Sequence, residues 1–204
     1  MNKPYKLLTL VFLGLIIDIS LFSAVTLDEY LKAYKKVQSF SAQFKQTKHL
    51  SVMASDQVST GYIQFKKTDK LVWALKTPYS YKFILNGKKV IKAYPDLDEQ
   101  QVYDIDENIQ LKTLFDNIFL LMGLKKRQAI ENKYQIVKGR GNTIILIPKQ
   151  KSFKKYVEKI ILKFNKKKYI RSIKILEPSE DYTLIRFFDI QINPTISDKV
   201  FEIK

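Results

Sequence analysis

Alternation of apolar and polar residues dominates the chain between residues 59 and 103. Such alternation is typical of half-buried antiparallel strands, because successive side chains of a strand point to opposite faces of its sheet. Three runs each place apolar residues on one face: Gly61, Ile63 and Phe65, then Leu71, Trp73 and Leu75, then Tyr79, Tyr81, Phe83 and Leu85. The pair Asn86-Gly87 favours a tight hairpin turn, since a type I′ turn needs positive φ at both central residues. We therefore predict an antiparallel meander with one wide aromatic face.

Two other segments have the spacing of helices. Thr26 and Glu29 form a capping box, followed by an apolar stripe at helical spacing. We interpret this first helix either as a lid over the sheet or as an ordinary packed helix. A second helix is predicted over residues 109–122, capped by Asp106 or Asn108 and ended by Gly123. It is apolar over more than one stripe, so either protein core or a bound apolar ligand must cover it.

The pattern of apolar residues in most of the remaining chain predicts further strands. One run covers residues 39–46, and the later runs cover 134–138, 143–147, 157–164, 169–176 and 183–192. We expect no helix between the strands after residue 134, so neighbouring strands there should be antiparallel. The 204 residues fit one domain with a substantial core.

The first 24 residues have the features of a secretory signal peptide. Lys3 and Lys6 precede an apolar run over residues 7–17, and Phe22-Ser23-Ala24 offers a cleavage site. Asp18 interrupts the apolar run, whereas a membrane span needs about 20 such residues. An uncleaved anchor is the alternative, because Phe22 is large for a cleavage site. We expect an exported chain whose single domain covers residues 25–204.

The net charge of +16 has several possible interpretations. It can indicate a nucleic acid, an anionic membrane surface or an acidic protein as partner, or lysines that are simply solvated. Basic residues cluster at 125–127, 149–155 and 166–168, in turn-like positions. No RNA-binding aromatic motif or helix-turn-helix pattern accompanies them, so we do not expect nucleic-acid binding.

The chain lacks the sequence motifs of common catalytic sites. It contains no phosphate-binding glycine loop, nucleophile elbow or His-Glu-X-X-His motif, and it has no cysteine for thiol chemistry or disulfides. His49 is the sole histidine, so we expect it to be solvated or structural and not a metal ligand or triad member. The acidic groups at 96–99 and 104–107 lie in turns, where carboxylates are usually solvated. We therefore expect no enzymatic activity, no metal and no cofactor.

Several short motifs occur in a characteristic order along the chain. They are Gly61, Lys66-Lys67-Thr68, Leu71-Val72-Trp73, Pro78, Asn86-Gly87-Lys88 and Tyr94-Pro95, preceded by VQSFSAQFKQT at 37–47 and followed by LIPK at 146–149 and Asn193-Pro194. This order resembles the LolA family of periplasmic lipoprotein carriers. Lys67 stands where the family has Arg, Thr68 where it has Pro, and Tyr94 abuts Pro95 directly. The family's Pro-X-Gly-Val tail segment is also missing after Phe201, which puts any role of that tail in doubt.

The resemblance implies an α+β fold in which a strongly curved antiparallel sheet forms an incomplete, half-open β-barrel, with helices covering its concave apolar face. It also implies a monomeric, non-enzymatic periplasmic carrier that binds the acyl chains of lipoproteins released from the inner membrane and delivers them toward the outer membrane. The implied partners are an ABC-type lipoprotein-releasing complex of the inner membrane and an outer-membrane acceptor.

The residues that we expect to line the acyl-chain cavity are apolar and mostly aromatic: Phe40, Phe44, Phe65, Leu71, Trp73, Tyr81, Phe83, Leu114 and Phe119. By resemblance, Lys67 is the gate residue that holds the lid, although it lacks the planar fork of Arg and should make a weaker latch. A solvated turn residue is the alternative role for Lys67.

Two other functions stay open from the sequence. One is a LolA-like envelope sensor, or a lipid- or glycolipid-binding module, without a transport role. The other is a carrier of anionic lipids whose head groups meet the basic loops.

Overall fold

The computed structural model describes residues 25–67 and 69–202. The predicted signal peptide lies outside these residues, as do Thr68 and the last two residues. No helix within the described residues is long and apolar enough to cross a membrane.

Four α-helices and eleven strands make up the described chain. The helices are α1 (Leu27–Lys35), α2 (Ile109–Leu121), α3 (Arg127–Lys133) and α4 (Lys151–Lys154). The strands are β1 (Ser39–His49), β2 (Gln57–Lys66), β3 (Lys70–Thr77), β4 (Tyr81–Asn86), β5 (Lys89–Tyr94), β6 (Glu99–Asp104), β7 (Tyr134–Lys138), β8 (Thr143–Pro148), β9 (Lys159–Phe164), β10 (Ile170–Leu176) and β11 (Tyr182–Ile192). Two short 3-10 helices cover Pro95–Leu97 and Asp198–Phe201.

All eleven strands belong to one antiparallel sheet. Their order is β6-β5-β4-β3-β2-β1-β11-β10-β9-β8-β7, so β6 and β7 form its two edges and the barrel does not close. The sheet joins its halves where β1 pairs with β11, at positions such as Phe44 opposite Phe187. The α+β half-barrel expected from the sequence is confirmed.

One face of the sheet curves around a single hydrophobic core. Val90 of β5 and Ile144 of β8 belong to the same buried cluster, although several strands separate them in the sheet. Tyr30 of α1 and Phe115 of α2 are buried in this cluster too, at about 1% exposure each. The helices therefore cover the concave face, as predicted.

The caps of the two main helices follow the sequence signals. The Thr26 backbone N–H donates to the Glu29 carboxylate at 2.8 Å, and the Glu29 N–H donates to the Thr26 hydroxyl at 3.2 Å. The backbone hydrogen bond from Thr26 is the main cause that lowers the pKa of Glu29. At α2 the cap is Asn108 and not Asp106, since the Asn108 side chain accepts from the Leu111 N–H at 3.0 Å.

A second hydrophobic cluster lies on the opposite face of β3, β4 and β5. Their outward side chains pack against Ile196 and Phe201 of the C-terminal segment, residues 194–202; these side chains are Val72, Ala74, Ile84 and Ile91. The Asn86 side chain donates to the Phe201 carbonyl at 3.2 Å. The C-terminal segment is thus a packed part of the fold, which the sequence did not indicate.

Three local expectations were wrong. Tyr79 does not share the inward face of β4, because the strand begins only at Tyr81, after the bend at Thr77-Pro78, and Tyr79 is 80% exposed. The one-turn helix α4 lies between β8 and β9, where we predicted no helix. The next strand consequently starts at Lys159 and not at 157, since the Val157 N–H bonds to the Phe153 carbonyl of α4.

Candidate functional site

A cavity of about 440 Å³ lies between the concave face of the sheet and α2. This volume falls within the range of roughly 300–1,000 Å³ that is typical of small-molecule pockets. The N-terminal half of the sheet contributes Ile63, Trp73 and Phe83, which are cross-strand neighbours on β2, β3 and β4. Helix α2 closes the other side with residues including Leu114, Phe115 and Ile118.

The lining is almost wholly apolar and carries no formal charge among the described residues. Gln46 and Asn117 supply the amide groups, and three tyrosines supply hydroxyls: Tyr34, Tyr81 and Tyr134. Such a surface offers little to a charged ligand, whereas it removes hydrocarbon from water without leaving a charge unpaired.

The tyrosines stay uncharged in this environment. Desolvation raises the pKa of Tyr134 to about 12, and it also raises the pKa of the Tyr34 and Tyr81 phenols. The Tyr34 hydroxyl accepts a hydrogen bond from the Ile170 N–H at 3.2 Å. Ionisation of these phenols therefore does not add charge to the cavity at physiological pH.

The structure brings five of the nine predicted lining residues to the cavity. These are Phe40, Trp73, Tyr81, Phe83 and Leu114. The other four do not border it in this conformation: Phe44, Phe65, Leu71 and Phe119. Phe44 packs behind Trp73 with ring centroids 4.6 Å apart, and Phe65 meets Phe119 edge-on at 6.0 Å. They point to the concave side but are covered by their neighbours, and acyl-chain contact remains a prediction for all nine.

The C-terminal half of the sheet supplies much of the lining that the prediction omitted. The omitted sheet residues are Tyr134, Ile160, Ile170, Ile173, Ile175, Ile185 and Phe187. The sequence shows period-two alternation at Ile160 and at Ile173 and Ile175, whereas Ile170 is out of phase because a register shift follows it. What the sequence did not show is that β11 pairs with β1, which brings this half around to face β2–β4.

Helix α1 is fixed to the C-terminal end of α2 at one side of the cavity. The Tyr30 hydroxyl donates to the Leu121 carbonyl at 2.6 Å. Gly123, which follows α2 with φ +70°, lies against the Tyr30 ring, where an added Cβ would approach ring atoms to 2.8 Å. Arg127 at the start of α3 pairs with Asp28, so α3 is joined to α1 as well. The helical cover is therefore a connected unit.

Lys67 lies in the turn after β2 and is exposed. Its backbone N–H donates to the Gln38 carbonyl at 2.8 Å, whereas its ammonium group makes no hydrogen bond or ion pair with a described residue. Its neighbours Lys66 and Lys70 both bind Asp198, with Nζ–Oδ1 distances of 3.0 and 2.8 Å. The latch role of Lys67 remains a prediction.

The single histidine makes local contacts with an acidic side chain and a ring. His49 Nδ1 lies 2.8 Å from the Asp56 carboxylate, and the His49 ring stacks on Tyr182 with centroids 5.0 Å apart. Within the described residues, no three His, Cys, Asp or Glu side chains are grouped as metal ligands would be.

Comparison with known proteins agrees with this architecture. The chain is 27% identical over 210 residues to the outer-membrane lipoprotein carrier protein of Francisella philomiragia, covering 100% of this chain and 94% of that protein. It is also 27% identical to the carrier protein of Nitrosomonas europaea, covering 82% and 79%. Among solved structures, the Pseudomonas aeruginosa MucA/MucB complex matches with a TM-score of 0.51 at 8% identity, over 87% of this chain and 59% of that chain; this likeness shows the fold alone. Residues 35–204 match the sequence model described as outer membrane lipoprotein carrier protein LolA, and the chain therefore belongs to the LolA family.

Proposed function

We propose that this protein is a non-enzymatic periplasmic carrier that binds the acyl chains of lipoproteins released from the inner membrane and delivers them toward the outer membrane. Proteins of the LolA family are periplasmic lipoprotein carriers. The observation that carries the proposal for this chain is its uncharged apolar cavity of about 440 Å³ beneath α2.

Hydrophobic burial supplies the physical reason. Each CH₂ group removed from water contributes roughly 0.8 kcal/mol, so one long acyl chain exposed in the periplasm would cost on the order of 10 kcal/mol. A fully packed core could not accept such a chain. The open edges of this sheet and the separate helical cover let the concave face serve as a binding site.

We assign the direct contacts to the five predicted residues that border the cavity: Phe40, Trp73, Tyr81, Phe83 and Leu114. The other four, Phe44, Phe65, Leu71 and Phe119, support this wall and join the contact surface if the cover moves. Lys67 is proposed as the latch through its three ammonium donors. The carrier would act as a monomer after removal of residues 1–24. It would receive cargo from an ABC-type releasing complex and pass it to an outer-membrane acceptor.

A release assay tests the proposal. Purified protein is incubated with spheroplasts that contain a labelled triacylated lipoprotein, and the soluble fraction is examined for label in a 1:1 complex. We expect release by the wild type and its loss in Phe83→Glu, since the new carboxylate would lie in the apolar cavity. Phe188→Glu is the matched control, because Phe188 is 44% exposed and does not border the cavity.

The latch is tested in the same assay with Lys67→Leu, and Lys166→Leu in the β9–β10 turn is its control. Loss of lipoprotein release in Lys67→Leu, with release retained in Lys166→Leu, supports the latch. If no lipoprotein is released while the protein is folded and the exporter is active, the carrier proposal fails. The envelope sensor then becomes the preferred function. Ligand binding that falls steeply with salt would instead indicate an anionic-lipid carrier.

A further inference from the structure

We propose that a second recess beside the apolar cavity binds the oxygen-rich head of the acylated ligand through the hydrogen-bond donors among its lining residues. This inference rests on the proposed function, because it concerns the polar end of a ligand whose hydrocarbon occupies the cavity. The recess has a volume of about 320 Å³ and lies between α2, the end of α3 and α4.

The recess and the cavity share a wall. Asn117, Tyr134 and Phe153 border both, and the rings of Tyr134 and Phe153 meet edge-on with centroids 6.3 Å apart. Only the thickness of these side chains separates the two spaces. A hydrocarbon chain that ends in the cavity beside this shared wall would therefore place its head next to the recess.

The two spaces differ in chemistry. Both spaces have mostly apolar walls, and those of the recess include Tyr134, Phe153 and Tyr156. The recess differs in adding a cation and further donors to such walls, namely the Lys133 ammonium, the amides of Asn117 and Gln150, and the Ser152 hydroxyl. No acidic side chain lines it among the described residues. The described part of the cavity contains no cation, whereas Lys133 lines the neighbouring recess and so places a positive charge beside it.

Lys133 is available to a ligand. Its ammonium donates to Asn117 Oδ1 at 3.4 Å, a long hydrogen bond, and no carboxylate in residues 25–67 or 69–202 forms an ion pair with it. A group rich in acceptor oxygens, such as an ester or a phosphate, complements this donor set. Such a group occurs in an acylglyceryl-modified polypeptide and in a phospholipid, and the experiment below distinguishes the two sources.

The test uses four probes with the same 12-carbon chain and different heads: dodecanol, methyl dodecanoate, dodecanoate and dodecyl phosphate. Affinity is measured from the fluorescence of Trp73, which borders the cavity and is the chain's only tryptophan. We expect an acceptor-rich head to bind about tenfold more tightly than the alcohol, because hydrogen bonds to a charged group such as the Lys133 ammonium are stronger than those between neutral groups. Tighter binding of the phosphate than of the ester indicates a phospholipid, because both sources contain acyl esters and only the phospholipid contains phosphate. Preference for the ester without a further gain for the phosphate indicates the acylglyceryl source.

Lys133→Gln should abolish this preference and leave dodecanol binding unchanged, whereas Lys166→Gln, which removes the same charge elsewhere, should preserve it. Equal affinity of the wild type for all four probes would contradict the recess as a binding site for the head. The cavity would remain the proposed binding site for the hydrocarbon chain. Failure of every probe to bind would overturn the proposed function together with this inference. In wild-type protein, a photoreactive group next to the probe's head should label α2 and α4; labelling confined to other elements would also contradict the assignment.

Discussion

The hydroxyl of Tyr30 in α1 donates a 2.6 Å hydrogen bond to the carbonyl of Leu121, the last residue of α2. Tyr30 is about 1% exposed, and desolvation raises the pKa of its phenol well above the usual range, so the donor stays protonated. This bond holds together the two helices that cover the concave face.

Removal of this hydroxyl should loosen the helical cover. We expect Tyr30→Phe to lower the free energy of unfolding by about 1 kcal/mol, because a carbonyl at a helix end loses its partner. Urea denaturation followed by circular dichroism measures the change. Tyr156→Phe is the control, since Tyr156 is 71% exposed, and equal stability of the two variants would show that the bond contributes nothing.

Gly123 is required by backbone conformation and by space. Gly123→Ala should cost more stability than Gly141→Ala, although both residues have positive φ. The left-handed backbone costs a non-glycine residue roughly 1–2 kcal/mol at either position. Only at Gly123 does the added methyl also meet a ring, that of Tyr30, because nothing lies within 4 Å at Gly141. Equal losses in chemical denaturation would contradict the close packing.

The exposed carboxylate of Asp106 joins α2 to the β4–β5 turn. It lies 2.9 Å from the ammonium groups of both Lys88 and Lys112, and hydrogen bonds from these groups lower the pKa of Asp106 to about 2, from an ordinary value of 3.8. A depressed pKa stabilises the folded state above 3.8, and this contribution is lost as the pH falls toward 2.

We therefore expect Asp106→Asn to be less stable than the wild type at pH 6, with a difference that shrinks between pH 4 and pH 2. Urea titrations across this range measure it. Asp96→Asn, at an exposed carboxylate in the 3-10 helix Pro95–Leu97, is the comparison. A difference that grows on acidification would refute the assignment.

The C-terminal segment should contribute strongly to stability. Phe201 has an exposed fraction of 0% and packs on the outer face of β3–β5. Phe201→Ala should lower the free energy of unfolding by about 3–5 kcal/mol, as is usual for a buried Phe. Val200→Ala is a milder control, because Val200 is only partly buried. A loss below 1 kcal/mol would mean that the segment does not brace the sheet.

The sequence predicted the elements better than it predicted the cavity. Alternation placed Trp73 and Phe83 on one face, and the register confirms them as direct neighbours. It put Phe65 on the same face, but Phe65 lies one row further along the strands and is covered by Phe119. Periodicity identifies the face of a strand, whereas access to a cavity depends on which helix covers each row.

The packing of the C-terminal segment shows the same limit. Phe201 and Ile196 carry no periodic signal, because the segment that follows β11 contains only one short 3-10 helix, Asp198–Phe201. Their burial follows from the pairing of β11 with β1, because this pairing directs the C-terminal segment to the outer face of β3–β5. That contact joins residues more than 100 positions apart, beyond what local pattern can specify.

This one-sided bracing gives the two halves of the sheet different stiffness. Strands β3–β5 have side chains packed on both faces, whereas outward residues of β8 and β9 such as Ile145 and Ile161 remain partly accessible to solvent. A sheet supported on both faces resists bending more than a single layer does. We expect the cavity to expand asymmetrically for larger cargo. Strands β7–β10 should move outward, whereas β3–β5 should keep their positions.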